Sequence, residues 1–307
     1  MKRPPLALLI CVAVCIAAAA PVSLAGAKGL NTTQAFRATG WGENVAVSFN
    51  KDAKLLRYRS DGLPNHELLP EYAVPNPGVV VPDETNSHVE TAEEAIKPQN
   101  YDFPITTAPR KADEKTKIKT GPVGLMITGA MTYNPFEGDG KTVAAASNFT
   151  LTNAQGEEVP FVDSCFGHPA PRPLSAYHYH ALSSCVTEQV DEKKGPSHIQ
   201  GVAFDGFPIY GNRDLDGKKV DPKDLDGCNG IKSPTPEFPD GIYHYVMLDV
   251  PTKQSSIRCL KGRVAGDLEQ ALEDPSYRCP LKGTAKNEED VGAATRVALS
   301  PRKGIQW

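Results

Sequence analysis

Two short stretches of this 307-residue chain decide its fold. The stretch "DSCFGH", residues 163–168, is followed by "YHYH", residues 177–180. Later, "DGCNGI", residues 226–231, is followed by "YHYV", residues 243–246. Each pair joins an Asp-x-Cys-x-Gly turn to a Tyr-His-Tyr segment, which favours a strand because tyrosine suits a pleated surface. The same order of motifs in both pairs indicates an internal duplication.

A third block extends the repeat towards the N-terminus. "VGLMITGAMTY", residues 123–133, and "GVAFDGFPIYG", residues 201–211, are both apolar and carry two glycines at matching places. Because two copies are too few for a solenoid, we expect two related β-units, residues 121–185 and 201–262, around a pseudo-two-fold axis. The expected fold is therefore mainly β and contains disulfides, with few helices. The one helical pattern is "AGDLEQALEDP", residues 265–275.

The segment before the repeat has a different composition. Residues 73–120 are rich in proline and charge, as in "VPNPGVVVPDE" and "FPITTAPRKADEKTKIKTG", and show no lasting helical period. We expect extended segments and loops there, which form a flexible surface region.

The N-terminus has the pattern of an export signal. Lys2 and Arg3 precede the apolar run "LALLICVAVCIAAAA", and small residues follow in "PVSLAGA". The run is shorter than the ~20 residues that cross a bilayer, so a cleaved signal of residues 1–25 is favoured over a membrane anchor. We therefore expect a secreted or periplasmic protein that has no membrane span after cleavage.

The cysteines beyond the signal are Cys165, Cys185, Cys228, Cys259 and Cys279. In an exported chain such residues usually form disulfides, and four cysteines allow three pairings. The duplication favours Cys165–Cys185 and Cys228–Cys259, since each pair then begins at an Asp-x-Cys-x-Gly turn and closes beyond its Tyr-His-Tyr strand. Cys279 is then left over.

Together with "GLPNHELLP", residues 62–70, these motifs resemble the YHYH domain family. The resemblance implies an exported, cysteine-containing protein and little about mechanism, because the activity of most members is unknown. The chain departs from the family pattern at Ile231 and Val246, where members often carry histidine. The layout that the resemblance implies is an N-terminal segment at 26–57, a YHYH domain at 58–262 and a C-terminal tail at 263–307.

Histidines are concentrated in the first copy of the repeat. His178 and His180 alternate with tyrosines, so on a strand both imidazoles lie on one face and can reach a single metal ion. Imidazole suits zinc, copper, iron or nickel, and we favour copper or zinc. A third ligand is expected from His244, if the pseudo-two-fold axis brings the two strands together, or from His168, if its turn folds back.

Several other residues are weaker candidates around such a site. Asp205 and Asp163 are expected either to bind the metal or to accept a hydrogen bond from a ligand imidazole, and His198 is a further alternative ligand. The acidic turn at 212–217 resembles the start of a calcium loop, but Lys223 stands where that loop needs glutamate, so calcium is not expected. Alternatively, the histidines of the Tyr-His strand are packed and hydrogen-bonded without a metal.

Composition and motifs restrict the function classes. A net charge of −4 without clustered lysine and arginine argues against nucleic-acid binding. The sequence has no serine-hydrolase elbow, phosphate loop, dinucleotide fingerprint or His-Glu-x-x-His motif, so no catalytic residue is assigned. We therefore favour an exported metal-binding protein. The alternative is a disulfide-stapled extracellular scaffold for adhesion or matrix interaction, without a metal.

Overall fold

The computed structural model describes residues 29–264. The expected signal, the helical pattern at 265–275 and Cys279 lie outside the described residues. Within them the chain is mainly β with few helices, as the sequence predicted. The described α-helices are α1 (Thr32–Ala38), α2 (Ala92–Ala95) and α3 (Ser184–Val190), with 3₁₀ turns at Ala144–Ala146 and Pro222–Asp224. In this part of the chain, no helix has the length and apolar character needed to cross a membrane.

The strands fall into two groups along the described residues. The first group is β1 (Val45–Asn50), β2 (Leu55–Ser60), β3 (Glu71–Pro75), β4 (Ser87–Thr91), β5 (Tyr101–Thr106) and β6 (Lys111–Lys117). The second group is β7 (Pro122–Met126), β8 (Met131–Tyr133), β9 (Thr150–Thr152), β10 (Glu158–Pro160), β11 (Gly167–Pro169), β12 (Tyr177–Tyr179), β13 (Ile199–Ala203), β14 (Pro208–Tyr210), β15 (Gly230–Ser233), β16 (Ile242–Val246) and β17 (Cys259–Gly262).

An eight-stranded sheet forms the centre of the fold, in the order β11-β12-β8-β7-β13-β14-β16-β15. The pairs β12–β8 and β14–β16 are parallel, and the other neighbours are antiparallel. β7 and β13 pair at the middle, and every residue in both strands is buried. Gly201 allows this close pairing, since a Cβ there would collide with the carbonyl oxygen of Leu125.

Glycines shape the two tight turns beside the central strands. Gly129 has a φ of +99° in the turn between β7 and β8, and Gly206 has a φ of +83° between β13 and β14. These left-handed conformations favour glycine, because a side chain there would be strained. The second glycine of each apolar block in the sequence therefore marks a hairpin turn.

The region before the central sheet is packed, contrary to the expectation of a flexible surface segment. β1, β2 and β5 form an antiparallel sheet, and β3 pairs with β4. In β5 buried residues alternate with more exposed ones, which places Tyr101, Phe103 and Ile105 in the core. This alternation is a strand signal that the surrounding prolines and charges obscured. Tyr58 of β2 donates its hydroxyl to the carbonyl of Met126 at 2.9 Å and so joins this sheet to β7.

Two strand pairings join the ends of the described chain to the rest of it. β17 pairs with β6 in antiparallel register. β2 crosses the expected boundary at residues 57–58 and pairs with both β1 and β5. The expected N-terminal segment therefore shares a sheet with the expected domain.

Both predicted disulfides are present. Cys165–Cys185 joins the turn before β11 to α3, and Cys228–Cys259 joins the turn before β15 to β17. Each bridge therefore anchors an Asp-x-Cys-x-Gly turn to an element that follows the next Tyr-His-Tyr strand.

Candidate metal centre

Two adjacent strands bring three histidines together on one face of the central sheet. β11 and β12 are antiparallel, and His168 and His178 are register partners, so their side chains leave the same face. His180 follows two residues after His178 and lies on that face as well, because side chains alternate along a strand. Tyr177 and Tyr179 point to the opposite face. Strand alternation therefore places His178 and His180 on one face, and the pairing of β11 with β12 adds the imidazole of His168 to that face.

The three rings are close enough to share one ion. The ring centroids of His168 and His178 are 4.4 Å apart, those of His168 and His180 are 5.1 Å apart, and those of His178 and His180 are 4.8 Å apart. One nitrogen from each ring lies within 4.8 Å of the other two. Imidazole nitrogens bind zinc at about 2.0–2.1 Å, which places two ligands roughly 3.3–3.6 Å apart. Small side-chain rotations would close the group to that spacing.

Hydrogen bonds fix the tautomer of each ring. The Nδ1 atoms contact backbone carbonyl oxygens: His168 with Pro169 at 3.1 Å, His178 with Ala176 at 3.0 Å and His180 with Asn134 at 2.6 Å. A carbonyl only accepts, so each neutral ring carries its proton on Nδ1 and keeps a lone pair on Nε2. Metal-binding histidines are usually oriented in this way, by a hydrogen bond from the ring nitrogen that does not bind the metal.

Two of these lone pairs have no partner. The Nε2 atoms of His168 and His180 are buried and find no hydrogen-bond partner within residues 29–264. A buried polar atom without a partner costs about 1–3 kcal/mol. The packing of three imidazoles with unprotonated nitrogens is therefore unfavourable unless something accepts their lone pairs, and a metal ion does so.

Burial keeps all three rings uncharged. Each histidine is only 3–4% exposed. Burial, followed by the neighbouring imidazoles, holds the pKa of His168 and of His178 well below the usual 6.5. Burial lowers the pKa of His180 to about 4. The rings are therefore in the neutral form that binds metal at neutral pH.

Aromatic side chains from other elements wall the group. Tyr133, at the end of β8, stacks on His178 with ring centroids 3.9 Å apart. Phe161, just after β10, lies 4.3 Å from the ring of His168. Met131 is the register partner of His178 in the parallel pair of β8 and β12. The sequence gave no sign of these contacts, because it does not show that β8 lies beside β12.

His244 lies elsewhere in the sheet. It is the register partner of Ile231, its ring packs 4.9 Å from that of Tyr210, and its Nδ1 lies 3.1 Å from the carbonyl oxygen of Ile242. The strands β8, β7, β13 and β14 stand between β12 and β16. The ligand atoms of His244 are not part of the group in which the ligand atoms of the other three histidines lie within 4.8 Å of one another. His168 is thus the third member of the group, and His244 is not.

Asp163 holds the turn that leads to His168. Its Oδ1 accepts hydrogen bonds from the backbone N–H groups of Cys165 and Gly167, at 2.9 and 3.0 Å. Its Oδ2 accepts from the hydroxyls of Tyr72, at 3.0 Å, and Tyr177, at 2.7 Å. These contacts satisfy the carboxylate within the turn.

Asp205 and His198 are also placed away from the three rings. Asp205 is buried, accepts from the Tyr245 hydroxyl at 2.6 Å and from the backbone N–H of Gly262 at 2.8 Å, and burial raises its pKa to about 6. The Nδ1 of His198 lies 2.8 Å from Glu237, and this contact raises the pKa of His198. Both residues serve other parts of the fold.

A second group contains His66, Cys165 and Cys185. Its two sulfur atoms form a disulfide, so neither is available as a thiolate ligand. The Nε2 of His66 lies 2.7 Å from the hydroxyl of Tyr179. We therefore assign the candidate centre to His168, His178 and His180 alone.

Comparison with known families agrees with the motif resemblance. Residues 102–221 match the model of the YHYH protein family. This part of the chain is similar to the YHYH protein family. The matched residues contain all three histidines of the centre and end before β15 and β16. Neither a search of curated proteins nor a search of solved structures returned a match.

Proposed function

We propose that this protein binds one transition-metal ion, copper or zinc, through His168, His178 and His180. The observation that carries the proposal is the set of three buried imidazoles whose Nδ1 atoms face carbonyl oxygens. Their Nε2 lone pairs are thereby left for a common ligand, and two of them have no hydrogen-bond partner.

Metal analysis of protein purified without a histidine tag tests this proposal. We expect about one equivalent of copper or zinc per chain, and we expect His178→Ala to lose it because two imidazoles hold an ion much more weakly than three. His244→Ala is the matched control, since it alters the other Tyr-His-Tyr strand and should leave metal content unchanged. Metal-free wild-type protein that also fails to take up either ion on titration would contradict the proposal and favour the scaffold alternative.

We also propose that the chain is exported, to the periplasm or the extracellular space. The N-terminal signal pattern supports this, and so do the two disulfides, which persist in oxidising compartments. Fractionation of the native host with an antibody against the chain tests the location, and a purely cytoplasmic signal would contradict it.

We infer, further, that the central sheet is a duplicated unit with a pseudo-two-fold axis between β7 and β13. The strands β8, β12 and β11 follow β7 with the same parallel and antiparallel pairings as β14, β16 and β15 follow β13. The turns agree in detail as well: the Oδ1 of Asp226 accepts from the N–H groups of Cys228 and Gly230, and its Oδ2 accepts from Tyr243. These repeat three of the four contacts of Asp163, and the hydrogen bond from Tyr72 has no counterpart among them.

The duplication explains why only one half holds a metal. In the second half, Ile231 and Val246 stand where the first half has His168 and His180. Val246 belongs to a small apolar cluster with Leu225 and Leu248, and Ile231 packs against it. In the second half, apolar side chains thus occupy the positions that correspond to the metal centre of the first half.

A further inference from the structure

The ligand set of the centre carries no charge. Among the described residues, no carboxylate oxygen and no free thiol joins the three histidines in their group. Glu137 is a buried acid three residues after Asn134. The backbone carbonyl of Asn134 accepts a hydrogen bond from His180. Burial raises the pKa of Glu137 to about 8, so this side chain is mostly protonated at neutral pH. An ion at the centre therefore meets three neutral imidazoles, and no carboxylate belongs to its ligand group among the described residues.

The site also encloses the ion. The three histidines are buried, and Tyr133 and Phe161 cover two of the rings. The cost of burying an ion grows with the square of its charge, so a divalent ion costs about four times as much as a monovalent one. Zinc centres offset this cost with anionic ligands or keep one position open to water. Neutral ligands in an enclosed site therefore favour a monovalent ion over a divalent one.

A methionine is paired with one of the three histidines across neighbouring strands. Met131 is paired with His178 across the parallel strands, which sets both side chains on the same face, and it is almost fully buried. Thioether sulfur is a soft ligand that favours monovalent copper, and imidazole also binds copper. The neutral ligand set and the enclosure of the site thus point to an ion of low charge, and a neighbouring thioether suits monovalent copper.

We propose that the three-histidine centre selects monovalent copper over both zinc and divalent copper. The selection rests on the proposed metal-binding function and adds the identity and oxidation state of the ion. No redox step is required, since the ion binds and leaves as Cu⁺.

Competition titrations of the full chain test the selection. Cu⁺ affinity is measured without oxygen against bicinchoninate, and Zn²⁺ and Cu²⁺ affinities are measured against a pyridylazo dye. We expect the Kd for Cu⁺ to lie roughly 100-fold or more below that for either divalent ion, a difference of about 2.7 kcal/mol. Zinc or divalent copper binding as tightly as Cu⁺ would overturn the selection and leave the metal-binding function standing. Binding of none of the three ions would overturn both.

A charged replacement of one ligand tests the physical reason. His168→Glu supplies the missing negative charge with a side chain of similar reach. If neutrality sets the preference, this variant shifts the ratio of affinities towards zinc by roughly tenfold or more, while the control His244→Ala keeps the wild-type ratio. An unchanged ratio in a folded His168→Glu protein, checked by circular dichroism, would overturn the charge argument. Should that variant not fold, the wild-type ratio still decides the proposal.

Discussion

Burial shifts the pKa of two ionisable residues, His244 and Glu137, in opposite directions. Burial lowers the pKa of His244 to about 4, although the residue lies outside the metal centre. Below pH 6.5 the unfolded chain binds a proton that folded His244 excludes. The stability contributed by the neutral ring is therefore fully present above pH 6.5 and is lost as the pH falls towards 4.

His244→Asn should flatten this pH dependence. Asparagine keeps an N–H donor for the carbonyl of Ile242 but does not titrate. Between pH 7 and pH 4 we expect the wild type to lose about 3 kcal/mol more of its free energy of unfolding than the variant does. Urea unfolding at the two pH values measures the difference, and parallel losses in both proteins would contradict it.

Glu137 should change the stability with pH in the opposite direction. Burial raises its pKa from 4.5 to about 8, so the folded chain keeps a proton that the unfolded chain releases. Its contribution therefore falls as the pH rises from 4.5 to 8. In metal-free protein we expect Glu137→Gln to be about 3 kcal/mol more stable than the wild type at pH 7, with little advantage at pH 4.5. An equal gain at both pH values would show that the effect is packing and not ionisation.

At the scale of elements, the Asp-x-Cys-x-Gly turns and their disulfides hold the outer strands of the central sheet. The disulfide pairs were predictable from the order of the motifs. In each pair, one cysteine lies in an Asp-x-Cys-x-Gly turn and the other follows the next Tyr-His-Tyr strand. The helices were not, since α1, α2 and α3 are too short to show a clear apolar period. The pairing of β3 with β4 and of β5 with β2 was not predicted for a related reason: prolines and charges interrupt the alternation in this region.

Removing one bridge should destabilise the protein measurably. Cys228 and Cys259 are 31 residues apart, so in the chain-entropy description their bond contributes about 3–4 kcal/mol. We expect the Cys228→Ser, Cys259→Ser double variant to lose that much free energy of unfolding in chemical denaturation. Because this bridge lies in the second half, metal affinity should stay within a few-fold of the wild type. A variant as stable as the wild type would contradict the stabilising role.

At the scale of the whole molecule, the two halves of the sheet differ in chemistry. The first half presents three imidazoles, and the second presents His244 between Ile231 and Val246. The wild type should therefore bind one tight ion per chain. Replacing Ile231 and Val246 by histidine rebuilds the missing pair beside His244.

We expect the Ile231→His, Val246→His variant to bind two equivalents of Cu⁺ per chain, as counted by titration under nitrogen. The reason is that β15 and β16 have the same antiparallel register as β11 and β12. One equivalent in a folded variant would contradict the equivalence of the two halves.

The sequence by itself determined that His178 and His180 share a face, since strand alternation is a local property. It also determined the two disulfide pairs and the mainly β fold, through the repeated order of turns and strands. Only the tertiary structure decided that His168 joins them and that His244 does not. That choice depends on which strands are neighbours, and here β12 lies between β11 and β8 while β16 lies near the far edge of the sheet. Strand neighbours are chosen by pairing between distant parts of the chain, which the local period of a sequence does not encode.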